Sequence, residues 1–403
     1  MASNFTNHTS LPPCNVCSAS GPPTHSYLMY NLILIGFLMP TVGALGLVGN
    51  SLSAFVYSRP RMRSSTNLYL CALGFSDIFV IVTALFLFFI EGMRRYGPTV
   101  SYWYARGAPY FYPSGMTAQT CSVYFTVAAA VDCFVMVVLP TFISAKLCTP
   151  SMARRVIVFV VIFGVLYNVT HCFEIDIIDC IETEWNVTSL QVCPTQFRMN
   201  ELYYEVYYAY LYTIVMAAGP LLLLIALNTT IVIAMLTDRP RGVASSDEEG
   251  GGSGDTITLI LVVFLFIFCN SLALIINFLE QYLADTLGPT MNYLVDVSNL
   301  LVVCNSSANF LIYYAFGESF RKTLRFYLCT GGRRRRRYAS GQNGLISSSS
   351  PPTRLLDEAR VPTHHNCASN LNMTDSESHD ACTALLNDQQ QFMLVENTKA
   401  AMV

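Results

Sequence analysis

Val123-Tyr-Phe-Thr-Val-Ala-Ala-Ala-Val-Asp-Cys-Phe-Val-Met-Val-Val-Leu139 is nearly unbroken apolar sequence with one acid, Asp132, just past its middle. Crossing about 30 Å of hydrocarbon takes roughly 20 apolar residues at about 1.5 Å of helical rise each. Joined to the more mixed Phe111 to Thr120, this run is long enough to cross, and it raises the number of such stretches from six to seven. It is placed at 109–140, and the others near 28–57, 65–92, 152–173, 204–237, 255–283 and 289–316. The expected fold is an all-α membrane protein, a seven-transmembrane helix bundle.

Composition agrees. The chain has 403 residues, 53% hydrophobic and only 12% charged, where an average soluble protein carries about 25% charged residues. Residues 1–27 contain no Lys or Arg and no long apolar core with a cleavage site, so the first span is expected to serve as the signal. The formal charge of -3 becomes informative only when divided between the two sides of the membrane.

With the N-terminus outside, Arg59, Arg61, Arg63, Lys146, Arg154, Arg155, Arg239, Arg241, Arg321, Lys322, Arg325 and the run Arg333 to Arg337 fall inside. Only Arg94, Arg95, Arg106 and Arg198 fall outside. The positive-inside rule then predicts a plasma-membrane protein with an extracellular N-terminus and a cytoplasmic C-terminus. Residues 1–27 form an extracellular segment with acceptor sequons at Asn4 and Asn7, and a further sequon at Asn186 lies in the second outer loop. Asn168, Asn228 and Asn305 match the same pattern inside spans, where it arises by chance.

After the bundle at 28–316, residues 317–328 read as a short amphipathic membrane-surface helix. Phe320, Leu324, Tyr327 and Leu328 can lie on the bilayer while Arg321, Lys322 and Arg325 face water. Cys329 follows as a palmitoylation site. From 329 to 403 the composition turns to Arg, Ser, Pro, Asn and Gln and reads as a disordered cytoplasmic tail. Ser347 to Ser350, Thr374, Ser376 and Ser378 are candidate phosphorylation sites for an arrestin-like partner, and Arg333 to Arg337 could hold anionic lipid or act as a retention signal.

Several classes lose support. No pair of Gly/Pro-broken spans in matching halves suggests a transporter. No His-rich metal cluster, nucleophile triad or phosphate loop suggests an enzyme. Cys14 and Cys17 lack the second ligand pair of a zinc site, and no basic stretch beyond the tail run suggests nucleic acid. An acid at a helix centre costs roughly 2.5–3.5 kcal/mol on insertion scales, so Asp77, the one acid in mid-span, needs a reason.

Asp77 on the second span resembles the acid of rhodopsin-like (class A) G-protein-coupled receptors, which binds sodium with neighbouring polar groups. Matching that family's pattern puts Asn50, Ser122, Asn305 and Asn309 around it, as a sodium site or, alternatively, as a purely structural polar network. The resemblance narrows at Ser58-Arg-Pro-Arg-Met-Arg-Ser-Ser-Thr-Asn67, Gly115-Met-Thr-Ala-Gln-Thr120, Asn305-Ser-Ser-Ala-Asn-Phe-Leu-Ile-Tyr313 and Phe316-Gly-Glu318. Together these look like invertebrate FMRFamide-type neuropeptide receptors, over about residues 28–328. The seventh span lacks the Lys of a retinal Schiff base, and Gly115 stands where amine receptors place an Asp.

The resemblance implies a short amidated peptide as ligand and a heterotrimeric G protein as partner. A peptide ending in Arg-Phe-amide requires a carboxylate for its guanidinium and an apolar pocket for its ring. The outer segments carry eleven acids against four basic residues, an imbalance that would steer a cation inward. Glu280 and Asp296, at the outer ends of spans six and seven, are the expected partners of the Arg, with Asp176 and Glu205 as further ligand candidates. The Tyr and Phe residues of 102–112 and 203–212 offer aromatic surface, though interfacial belts explain such clusters equally well.

The chain departs from the family pattern in four places. The usual disulfide from the top of helix three is impossible, because that position is Ala108, and Cys121 reads as a core thiol. Cys14, Cys17, Cys180 and Cys193 allow three pairings; Cys180 with Cys193 is favoured, with Cys172 a competing partner. On helix three, Asp132-Cys133-Phe134 replaces Asp-Arg-Tyr, so among the G-protein-facing positions Asp132, Cys133, Phe134 and Tyr313 the guanidinium is missing. A thiol cannot replace its fixed charge. Ser271 and Ala273 replace the Trp and Pro of helix six and Phe310 replaces the Pro of helix seven, which leaves Pro40 and Pro220 as the main breaks.

Two functions follow. The first is a peptide-activated receptor whose helices five to seven shift on binding. The second is a binding-only or decoy receptor, weak in coupling because of Cys133.

Overall fold

A computed structural model describes residues 11–14, 17, 24–182, 186–237, 251–287 and 290–328, with 95, 251–254, 277, 278 and 280–287 described by backbone alone. Asn4, Asn7, Cys329 and the tail lie outside the described residues. Among the described residues, seven helices are long and apolar enough to cross a membrane: α1 (His25–Tyr57), α2 (Ser65–Met93), α3 (Pro98–Val138), α4 (Pro150–Phe173), α5 (Glu201–Leu236), α6 (Gly251–Leu287) and α7 (Thr290–Phe316). A short helix, Thr141–Leu147, joins α3 to α4. A hairpin of β1 (Ile175–Glu182) and β2 (Val187–Pro194) joins α4 to α5, and α8 (318–328) follows α7.

Local sequence sets the helix starts. Thr24, Ser64, Thr149 and Asn200 each accept an amide of the first turn that follows, at 3.0–3.3 Å, as small polar N-caps do. Pro98 and Pro150 begin α3 and α4, where a missing N–H costs nothing.

Helix α1 packs on α2 and α7, α2 on α3 and α4, and α3 on α4, α5 and α6, while α6 closes the ring between α5 and α7. Within its most apolar window α3 is 61% buried, against 22% for α5. This explains the mixed polarity of α3: enclosed by other helices, its polar side chains meet protein rather than lipid. Phe37, Leu45, Phe159, Leu166, Leu222, Phe264 and Leu311 instead form an exposed apolar surface, as a lipid-facing wall requires.

The third helix starts at Pro98 rather than at 109, because its first turns rise to meet both strands. It therefore contains both Pro109, which a start at 109 puts at the first residue, and Pro113 in its interior.

Between Tyr204 and Ala218 α5 winds in wide i→i+5 turns, just ahead of Gly219-Pro220. In that winding the amide facing the Val215 carbonyl belongs to residue 220, a proline with no N–H. Tyr124 Oη, from α3, donates to Val215 O at 2.8 Å and satisfies it. On the other side of the bundle, Gly46 and Gly49 let α7 approach α1. A Cβ at Gly46 would lie 2.1 Å from Ser307 Oγ, and one at Gly49 2.8 Å from Phe310 Cβ.

The N-terminal segment is stapled to the hairpin. Cys14 is bonded to Cys180 and Cys17 to Cys193, and the backbone of 12–14 pairs with Ile181 (Ile181 N to Pro12 O 2.8 Å, Cys14 N to Ile181 O 3.1 Å). This corrects the expected Cys180–Cys193 bond. In the hairpin Cys193 lies opposite Asp176 while Cys180 lies opposite Ser189. An offset of four residues is about 13 Å along a strand, whereas disulfide Cα atoms sit about 4.4–6.8 Å apart. Cys172 is exposed and lies outside both cystine pairs, and Cys121 is buried as a core residue.

A second compact unit contains 59–61 and 321–328, in which Arg59 lies over the Tyr327 ring at 5.1 Å and Arg61 over Phe326 at 5.6 Å.

Candidate functional site

At the hairpin end α4 closes with a tight turn, Val169–Phe173, that puts His171 and Glu174 on one side. The chain returning from β2 is pinned to this turn by Thr195, whose amide reaches Glu174 O at 3.0 Å and whose hydroxyl reaches Phe173 O at 2.7 Å. Arg198 follows three residues later, its amide on Thr195 Oγ1, and Asn200 then starts α5. The turn and the start of α5 thus surround one carboxylate.

Glu174 is wholly buried. Its Oε1 accepts from His171 Nδ1 (2.8 Å) and Tyr203 Oη (2.5 Å), and its Oε2 from Tyr208 Oη (2.6 Å), Arg198 Nη1 (3.1 Å) and Tyr112 Oη (3.2 Å). Burial by itself would raise its pKa, but the hydrogen bonds from His171, Tyr203 and Tyr208 outweigh it and hold the group at about 2. Because the ionised carboxylate only accepts, the proton of that bond sits on His171 Nδ1, and Nε2 meets Tyr207 Oη at 3.1 Å. Burial also opposes the charge of Arg198, yet Tyr112, Tyr208 and Glu174 raise its pKa above the ordinary value.

The acids singled out from sequence occupy different surroundings. Asp296, nearly buried on α7, accepts from Tyr27 Oη (3.0 Å) and Asn31 Nδ2 (2.9 Å) of α1, beside the rings of Tyr30 and Tyr293. Glu280 lies near the hairpin end of α6, described by backbone alone. Asp176 is exposed on β1, its carboxylate taking the next amide, Ile177 N, and Glu205 is exposed on α5. Asn186 is exposed at the hairpin turn with φ 50°, a backbone state that Asn tolerates. Glu174 stood in the sequence as one outer acid among eleven. The signal that marks it is the His171-x-x-Glu174 spacing followed by Tyr203, Tyr207 and Tyr208 on one turn of the next helix.

A cavity of about 200 Å³ lies beneath β2, lined by Glu91, Arg94, Ser101, Tyr104 and Gln191 among others. It is smaller than the roughly 300–1,000 Å³ of ligand pockets, too small for a peptide.

Deeper in the bundle Asp77 accepts from Ser122 Oγ (2.7 Å) and Asn309 Nδ2 (2.8 Å), with Ser306 as a third donor. Asn50 reaches Ser306 O (2.8 Å) and Gly46 O (3.0 Å) rather than the acid itself, and Asn305 is half-buried one residue away. Ser306 was not foreseen. Asn50 Oδ1 is buried without a hydrogen-bond partner, and an unsatisfied buried oxygen on a side chain tied to Ser306 is the kind of donor a hard cation takes.

At the opposite end Asp132 Oδ2 accepts from Ser65 Oγ (2.7 Å) and Thr66 Oγ1 (2.6 Å) of α2. Cys133 and Tyr313 are buried and Phe134 is half-buried. Tyr313 packs edge-on against Tyr57 at 5.2 Å.

Residues 49–313 match the family model described as 7 transmembrane receptor (rhodopsin family). Among individual proteins, the chain is 46% identical to the probable G-protein coupled receptor frpr-1 of Caenorhabditis elegans, over 82% of this chain and 87% of that one. It is 34% identical to the FMRFamide receptor of Drosophila melanogaster, over 71% of this chain and 52% of that one. It is 30% identical to the FMRFamide peptide receptor frpr-18 of C. elegans, over 71% and 67%. Seven spanning helices, a polar core centred on Asp77 and a family match across two thirds of the sequence lead to one conclusion: the chain is a multi-pass plasma-membrane protein belonging to the rhodopsin family of seven-transmembrane receptors.

Proposed function

We propose that this receptor binds a short, C-terminally amidated peptide of the Arg-Phe type at its hairpin end, which faces outside, and signals through a heterotrimeric G protein at the other. The observation that carries this function is the chemistry of the hairpin end: buried carboxylates, Glu174 and Asp296, walled by tyrosines that can face both a guanidinium and a phenyl ring. Relatives named as FMRFamide receptors support the same ligand class. Glu280 and Asp296 receive the cationic groups of the peptide, with Asp176 and Glu205 at the rim. Glycans at Asn4, Asn7 and Asn186 fit this orientation.

Asp77, Ser122 and Asn309, with Asn50, Ser306 and Asn305 around them, would hold a sodium ion, whose charge would compensate the buried carboxylate. Ligand-driven movement of α5 to α7 opens the cytoplasmic end around Asp132, Cys133, Phe134 and Tyr313. The tail, with Cys329 palmitoylated, offers serines to an arrestin.

The test is G-protein dissociation in cells displaying the intact receptor, challenged with amidated peptides ending in Arg-Phe. A dose-dependent response that weakens at least tenfold in Asp296→Asn or Glu280→Gln supports the function. Surface expression with neither binding nor response rejects the ligand class.

A specific observation favours a second function, a binding-only receptor: Cys133 is buried, and Asp132 is held by two hydroxyls of α2 rather than by an adjacent Arg. Binding without dissociation in the native receptor, and dissociation gained in Cys133→Arg, would establish it.

A further inference from the structure

Glu174 differs from the other described acids in what covers it. Four of its five donors, His171, Tyr112, Tyr203 and Tyr208, belong to the helices. The fifth, Arg198, comes from the loop before α5 with a side chain 39% exposed, and so runs from solvent to a carboxylate that has no exposure of its own. It is held through a single nitrogen, Nη1, which reaches Glu174 Oε2 at 3.1 Å and Tyr112 Oη at 3.4 Å. Its guanidinium lies over Tyr112 at 5.6 Å and Tyr208 at 5.8 Å. A bidentate pair would be stronger, and the site supplies planar aromatic faces that suit a guanidinium better than an ammonium.

The neighbouring residue completes the pattern. Phe197 packs its ring on Tyr203 at 4.1 Å, so the consecutive pair Phe197-Arg198 sets a phenyl and a guanidinium into one acidic, tyrosine-lined site. These are the two side chains of a peptide ending in Arg-Phe. The backbone of this loop is fastened independently, by Met199 N to Thr195 O and Asn200 N to Phe197 O, which leaves the Arg198 side chain able to swing out without unravelling the start of α5.

We propose that Glu174, with the faces of Tyr112 and Tyr208, is the guanidinium-binding subsite of this receptor, and that Arg198 fills it as a built-in competitor which the arginine of the peptide displaces. The proposal rests on the Arg-Phe peptide function above and assigns the guanidinium to Glu174, leaving Asp296 and Glu280 for the N-terminal ammonium of the peptide. An internal occupant lowers apparent affinity by the fraction of receptor that is open. A closed form favoured about ten to one weakens binding about tenfold and sets a threshold against stray cations.

The test is equilibrium binding to the full-length receptor in membranes, with Phe-Met-Arg-Phe-amide and its citrulline counterpart, which keeps the shape of arginine without the charge. Arg198→Gln is expected to tighten the arginine peptide about tenfold and to leave within twofold the citrulline peptide, whose neutral ureido group does not displace Arg198 from Glu174 and so binds without using the subsite in either form. Glu174→Gln is expected to erase the difference between the two peptides; if that variant fails to reach the surface, the Arg198→Gln comparison decides alone. Wild-type binding that Arg198→Gln leaves unchanged or weakens, or tightening of both peptides alike, overturns the subsite while the peptide receptor stands. Absence of binding to every form overturns both.

Discussion

Glu174 shows how a single buried charge is made tolerable. An isolated carboxylate in a low-dielectric site would take up a proton, yet five donors converge on this one and favour the ionised form. Since the folded pKa of about 2 lies below the ordinary 4.5, the stabilisation is complete above about pH 4.5 and disappears as pH falls through 2. By linkage it amounts to about 3 kcal/mol. Thermal unfolding of detergent-solubilised receptor should therefore lose stability between about pH 4.5 and 2. Glu174→Gln should unfold at a lower temperature at pH 7 and lose much of that acid-side slope. An equal slope in both proteins would mean that other carboxylates govern the acid response. Glu174 was legible in sequence as an acid three residues after a His and ahead of a run of tyrosines, but its donors come from α3, α4, the β2–α5 loop and α5, and the spacing along the chain brings neither Tyr112 nor Arg198 to it.

At the scale of the helix, two contacts are set by a missing atom. Pro220 deprives Val215 O of its partner and Tyr124 supplies one from α3, so Tyr124→Phe leaves a half-buried carbonyl of a spanning helix unpaired at a cost of about 1–3 kcal/mol. Adding Pro220→Ala restores the amide and should recover most of the melting temperature; a double variant no more stable than Tyr124→Phe would show that the hydroxyl acts elsewhere. Gly46 lacks the Cβ that would strike Ser307 Oγ at 2.1 Å, whereas nothing lies within 4 Å of a Cβ at Gly97. Gly46→Ala is expected to cost about 1–3 kcal/mol through overpacking and Gly97→Ala under about 0.5 kcal/mol, read as melting temperatures in the same detergent. Sequence marked Pro220 as a break but could not show which side chain repairs it, since that depends on the winding of α5 and the rotation of α3.

The whole molecule ties its hairpin to its own N-terminal segment instead of to α3, where Ala108 is buried. Digestion of unreduced receptor followed by mass spectrometry should yield cross-linked peptides joining Cys14 to Cys180 and Cys17 to Cys193; a peptide joining Cys180 to Cys193 would contradict the hairpin register. The bundle itself was open to the sequence, because crossing hydrocarbon leaves a chain few choices. Seven apolar stretches of sufficient length, with Asp77 alone at mid-span, follow from the energy of burying backbone and charge in lipid. The approach of Ser122 and Asn309 to Asp77 was also expected, though through family resemblance rather than periodicity. Three features were decided by tertiary structure alone: the cystine pairs, the capture of Asp132 by Ser65 and Thr66, and the Arg198–Glu174 contact. Each joins residues far apart in sequence, or on separate sides of a hairpin, whose distance depends on strand register and helix rotation. Sequence determines those quantities only through the packing of the complete fold.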